Sequence, residues 1–188
     1  MKKTILQEFK NHIQVSQDSF KTTSHSIENS AKLCIECLKN NGKIILFGNG
    51  GSAADAQHIS AELVGRYKKE RKGLSAIALT TDTSALTCIG NDYGYEKVFS
   101  RQVEALANNT DLVIGISTGG TSLNVINGLN AAKKIGCKTI GFSGKGGGSF
   151  SNICDENIIV PAKDTARIQE MHILIGHIIC QLIDLTDF

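Results

Sequence analysis

Apolar residues recur along this chain at two different periods, and the change falls near residue 42. Before it, Ile5, Phe9 and Ile13, then Ile27, Ala31, Cys34 and Leu38, stand three or four apart, as on helices with one apolar face. The spacing predicts helices over 2–24 and 26–40, paired as a hairpin, with Asn41-Gly42 as the stop. Beyond that point, short apolar runs at 43–47, 75–79, 112–116, 138–142 and 157–160 alternate with stretches of helical period. The runs are rich in Ile and Val and bounded by Gly, Ser, Thr or Asp, as in parallel strands buried on both faces. The alternation predicts a doubly wound α/β fold whose five-stranded parallel sheet has the flavodoxin-like order 2-1-3-4-5. No repeat, low-complexity tract or linker interrupts it. Residues 1–188 therefore read as one domain, an N-terminal helical hairpin over 1–41 and an α/β core over 42–188.

Composition narrows the function classes. Hydrophobic residues make up 41% of the 188 and charged ones 20%, with a single Pro, which argues against disorder. A formal net charge of +2 gives no basic field, so no nucleic-acid partner is expected. The one basic stretch, Lys68-Lys69-Glu70-Arg71-Lys72, reads as a solvated loop after a helix. Charge returns too early in Met1-Lys2-Lys3-Thr4-Ile5-Leu6-Gln7-Glu8 for a signal peptide, and no apolar run approaches the ~18 residues of a membrane span. The expected compartment is the cytoplasm, with no membrane partner and with reduced cysteines. Cys34 and Cys37 form a CxxC on one helix face, but no second pair follows at zinc spacing, so they read as core thiols.

Two loops look made for phosphate. The first run ends in Phe47-Gly48-Asn49-Gly50-Gly51-Ser52, ahead of a helix over 53–67. Small residues let backbone approach a ligand, and the free N–H groups of the helix start face an anion. Ser52 can cap that helix or offer its hydroxyl to phosphate. The third run repeats the device in Ile116-Ser117-Thr118-Gly119-Gly120-Thr121-Ser122. In a 2-1-3-4-5 sheet these two loops flank the switch point where ligands bind. A dinucleotide site competes, because Gly48 to Ala53 fits a loose G-x-G-x-x-A and Asp82 follows the second run, but it leaves the second loop unexplained. Gly144-Lys145 lacks the rest of a P-loop, and Gly144 to Gly148 reads as a flexible turn.

Metal-ligating residue types accompany the loops. His58 and Glu62, at i and i+4, share one helix face, and His58 lies roughly 9 Å along the helix from Ser52. The last helix, over about 164–184, carries Gln169, His172 and His177. Gln169 and His177 lie about 80° apart around it, whereas His172 is about 140° from His177 and reads as a structural histidine. Eight residues span ~12 Å of helix, so Gln169 and His177 reach one ion only by leaning inward or with help from a neighbouring subunit. Imidazole, carboxylate and amide oxygen suit zinc.

Taken together, the segments Gly48 to His58, Gly90-Asn91-Asp92-Tyr93-Gly94, Ile116-Ser117-Thr118 and Arg167-Ile168-Gln169-Glu170-Met171-His172-Ile173 closely resemble the phosphoheptose isomerase family of the sugar isomerase (SIS) superfamily. The resemblance spans essentially the whole chain. It implies conversion of sedoheptulose 7-phosphate to D-glycero-D-manno-heptose 7-phosphate through an enediolate, toward the heptose of bacterial lipopolysaccharide or capsule. It implies one zinc per subunit on His58, Glu62, Gln169 and His177, with Glu62 as base and His177 as acid/base. It implies a substrate site of Asn49, Gly50, Gly51, Ser52 and Glu62 with Asn91, Asp92, Ser117, Thr118, Gly119, Ser122 and Gln169. It further implies a homotetramer with active sites between subunits.

Two departures stand out. Some members have Asp three residues before the Gln, where this chain has Ala166, so that Asp164 substitutes or the Asp is dispensable. Gly119 replaces a usual Ser, leaving its contact to the backbone. The alternative is a non-catalytic SIS protein that binds a sugar phosphate or the replication initiator. The initiator-binding relative lacks counterparts of Glu62 and His177, and their presence here favours the enzyme.

Overall fold

The computed structural model describes residues 1–188. The chain begins with one continuous helix, α1 (Lys2–Lys39), in place of the expected hairpin. The polar stretch around Ser24 holds no Gly or Pro to break it. The hydroxyls of Thr22, Thr23 and Ser24 turn back onto the carbonyls of Asp18, Ser19 and Phe20 one turn earlier, so they are satisfied inside the helix. Its first buried residue is Ser19, and it packs on the rest of the molecule through Ile27, Ala31, Cys34 and Leu38.

The five apolar runs form β1 (Ile44–Gly48), β2 (Ala76–Ala78), β3 (Leu112–Ile116), β4 (Lys138–Gly144) and β5 (Glu156–Val160). They make one sheet in the order β2-β1-β3-β4-β5, every neighbouring pair parallel, as expected. β2 is shorter than its apolar run because it is an edge strand that pairs only with β1, leaving Ile77 exposed. The helices between are α2 (Gly51–Val64), α3 (Thr83–Tyr93), α4 (Ser100–Leu106), α5 (Leu123–Ile135), α6 (Phe150–Ile153) and α7 (Thr165–Asp184).

Side chains alternate across a strand, and this divides the interior in two. Ile44, Leu46, Ile114 and Ile116 face a core closed by α1, α2 and α7. Ile45, Phe47 and Val113 face a second core closed by α4, α5 and α6. Phe47 stacks on Phe99 at 4.9 Å, fixing the start of α4 beneath β1. Cys34 and Cys37 lie in the first core, and all six cysteines are free. Burial raises both thiols, Cys37 to about 11, so they are packing groups. No helix is long and apolar enough to cross a membrane.

Candidate active site

β1 and β3 are neighbours, with Gly48 opposite Ile116, so the two loops that follow them lie side by side. In the first, Gly50 turns the chain at φ +55° and α2 starts at once. Gly50 is the residue that precedes α2, so Ser52 sits buried in the first turn and does not cap it. In the second loop, Ser117 and Ser122 face each other, Oγ to Oγ at 3.0 Å, across the turn that precedes α5. An amide pair joins the loops. Asn49 Nδ2 donates to Asn124 Oδ1 at 2.9 Å, and Asn124 Nδ2 returns the bond to Asn49 Oδ1 at 2.8 Å. Tyr95 Oη also donates to Asn49 Oδ1. The Gly144 to Gly148 run is packed rather than free, since Ser149 N donates to Gly120 O at 2.9 Å and seats the turn on the second loop.

Three of the four expected metal ligands converge. α2 and α7 run side by side in the same direction, with Gln169 against Gly51 near their starts and Gly176 against Ile59 further along. At that second level His58 Nε2 lies 2.9 Å from His177 Nε2 and 3.2 Å from Glu62 Oε1. Donor atoms of all three residues fall within 4.8 Å of one another. Two imidazole nitrogens and a carboxylate oxygen, half open to solvent, are a donor set that fits zinc or a similar divalent ion.

Gln169 sits at the first level. Its amide fills the space a side chain at residue 51 would need, so the glycine there is what admits it. It faces Asp55, whose carboxyl burial raises to about 6 against the opposing pull of His58 and of the Gln169 amide. Asp55 Oδ2 is buried with no hydrogen-bond partner. The ~12 Å between Gln169 and His177 is thus resolved into two levels of contact along one helix, Gln169 near the loops and His177 at the His58–Glu62 pair.

Other expected residues fall as follows. Thr118 and Gly119 are half-buried in the second loop. Asn91 and Asp92 end α3, exposed, with Asn91 donating to Asp92 and no hydrogen bond from either to the loops. His172 is structural: it is fully buried and its Nε2 bonds Ser143 O at 3.0 Å. Asp164 caps α7 by accepting from Ala166 N and Arg167 N. Asp82 caps α3, which removes the acidic residue a dinucleotide site would use. Arg71 is not solvated as its stretch suggested, since its side chain is 9% exposed and paired with Asp184. Sequence reasoning missed Asn124, Tyr95, Asp55 and Tyr67, whose ring stacks on His177. Asn124 and Asp55 each carry a faint signal, a polar residue just inside a helix that follows a phosphate loop.

A parallel sheet with two hydroxyl-lined loops at its switch point, beside a histidine–carboxylate cluster, defines a phosphate-ligand enzyme of the doubly wound class. The family model for the SIS domain matches residues 8–144. The phosphoheptose isomerase of Aliarcobacter butzleri is 60% identical over 184 residues, 98% of this chain and 97% of the relative. The solved phosphoheptose isomerase of Neisseria gonorrhoeae superposes with a TM-score of 0.94 at 44% identity, covering 98% of this chain and 99% of that one. That of Francisella tularensis gives 0.95 at 36% identity, covering 98% of each. The chain belongs to the SIS domain family and, within it, to the phosphoheptose isomerases. It is an isomerase acting on a sugar phosphate.

Proposed function

We propose that the enzyme interconverts sedoheptulose 7-phosphate and D-glycero-D-manno-heptose 7-phosphate, the first step toward the heptose of lipopolysaccharide or capsule. One observation carries the reading: the carboxylate of Glu62 and the imidazole of His177 meet on helices that start beside a pair of phosphate-type loops. The relatives' names, phosphoheptose isomerase, supply the seven-carbon substrate class.

The reaction moves a carbonyl from C2 to C1. Glu62 takes a proton from C1 and returns it to C2, so that an enediolate lies between the two transfers. His177 carries the matching proton between the two oxygens. Ser52, Ser117 and Ser122, with the backbone of Gly50, Gly51 and Gly119, hold the phosphate, and Thr118, Asn91 and Asp92 complete the substrate site. Asn49 keeps the loops in register through Asn124. His58, Glu62 and His177, with Gln169 as fourth ligand once its amide leans in from the level of the loops, would hold one zinc per subunit, which would supply positive charge beside the oxygens where negative charge builds.

Two further features belong to the reading. Ile5, Leu6, Phe9, Ile13 and Phe20 are exposed on α1, an apolar surface that a homotetramer would bury, with active sites between subunits. Six free thiols suit the cytoplasm. The test is turnover of sedoheptulose 7-phosphate by the purified protein with and without a chelator. Metal-dependent formation of the aldose is expected, and its absence would overturn the assignment.

A further inference from the structure

The segment that follows α2 does more than connect it to β2. Arg71 folds back under the end of α2, where its Nη2 donates to Glu62 O and its Nη1 to Leu63 O, both at 2.9 Å. These carbonyls lie in the last turn of the helix and have no partner within it. The Nε of the same guanidinium donates to Asp184 Oδ1 at 2.8 Å, in the last turn of α7. Asp184 Oδ2 accepts from the backbone N–H groups of Lys68 and Lys69, at 2.8 and 2.9 Å. Both charged side chains are buried, Arg71 at 9% and Asp184 at 1% exposure. A buried pair with this many hydrogen bonds fixes two helix ends and the loop between them in one arrangement.

The residue this loop presents is Tyr67. Its ring stacks on His177, with centroids 5.5 Å apart and planes 21° from parallel. On its other contact the His177 ring meets His58 edge-on, centroids 5.0 Å apart. His177 therefore stands between a partner on α2 and an aromatic ring on the loop.

We infer that Tyr67 is a positioning residue, held on His177 by the Arg71–Asp184 clamp, and that the clamp and the stack together set His177 against His58 and Glu62. The inference rests on the reading of His177 and Glu62 as the working pair. Stacking fixes the plane of the imidazole, hence where its Nε2 points. The clamp holds Glu62 through its own carbonyl. Misaiming the imidazole would weaken metal binding and slow proton transfer, yet leave the phosphate loops intact.

The test compares Tyr67→Ala, Tyr67→Phe, Asp184→Asn and His177→Ala with the parent protein. The probe is cobalt(II) added to metal-free protein and followed by its visible absorption, beside kcat, KM and thermal melting. Tyr67→Ala should bind cobalt about tenfold more weakly, the lower end of what losing a ligand's supporting partner costs. Its kcat should fall about tenfold or more through misplacement of the reacting group, with KM nearly unchanged. Tyr67→Phe should restore both, because the ring and not the hydroxyl makes the stack. Asp184→Asn should resemble Tyr67→Ala, and if it does not fold the Tyr67 pair decides. Parent-like cobalt affinity and kcat in Tyr67→Ala, or a Tyr67→Phe as impaired as the alanine variant, would overturn the inference. If His177→Ala also behaves like the parent, the reading beneath it has failed; if His177→Ala is inactive, only the role given to Tyr67 has.

Discussion

His58 and His177 bring their Nε2 atoms to 2.9 Å from two different helices, with Glu62 Oε1 3.2 Å from the former. Two ring nitrogens this close repel unless a hydrogen or a cation lies between them. A divalent cation would relieve the crowding, because it would accept a lone pair from each ring. Zinc is expected to copurify, and its content should fall in His58→Ala and His177→Ala by elemental analysis. Full turnover by metal-free protein would count against the assignment.

Ser52 and Ser122 are expected to act on affinity. A hydroxyl bonded to a charged phosphate contributes roughly 1.5–3 kcal/mol. Ser52→Ala and Ser122→Ala should each raise KM about ten- to a hundredfold with little change in kcat, because the phosphate does not change during reaction. Ser122→Ala also strips Ser117 of its hydroxyl partner and should be the more severe. Steady-state kinetics separates the two parameters, and a fall in kcat alone would contradict the phosphate role.

The exposed apolar residues of α1 predict the assembly. Sedimentation at micromolar concentration should give four times the mass of the chain, and Phe9→Glu should lower it. An active monomer would refute the tetramer.

His172 makes stability depend on pH. Its Nε2 bonds Ser143 O, its Nδ1 is buried without a partner, and burial lowers its pKa from 6.5 to about 4. The unfolded chain therefore takes up this proton first as pH falls. The contribution is complete above the unfolded value and is lost on acidification toward the folded one. By pH 5.5 the loss is on the order of 1 kcal/mol. Urea unfolding of the parent and of His172→Gln should show their stability gap shrinking by about that amount between pH 7.5 and 5.5. A constant gap would show that His172 does not titrate in this way.

Those features of the molecule that follow from local pattern were legible in the sequence. Five Ile- and Val-rich runs became five parallel strands in the expected order because burial on both faces demands continuous apolar residues. His58 and Glu62 could be paired because helix geometry alone sets them together. The hairpin was misread because Ser24-His25-Ser26 is polar on a helix that is mostly exposed there, where polarity carries no sign of a break. The Asn49–Asn124 pair joins residues 75 positions apart, and no local period announces it. Arg71 looked solvated because its neighbours are, and its partner Asp184 arrives more than a hundred residues later. The reach of α7 was the hardest to foresee. Only its parallel run beside α2 sets Gln169 at the loops and His177 at His58.

Glu62 is the group expected to move the proton between C1 and C2. The measurement that tests it most directly is kcat for Glu62→Gln on sedoheptulose 7-phosphate, with metal content determined on the same sample. The change removes the base while keeping the shape of a side chain that is only partly exposed. A metal-replete variant should lose a hundredfold or more in kcat, the scale on which a positioned base acts, with KM changed little. A metal-replete variant that turns over at close to the parent rate would contradict it.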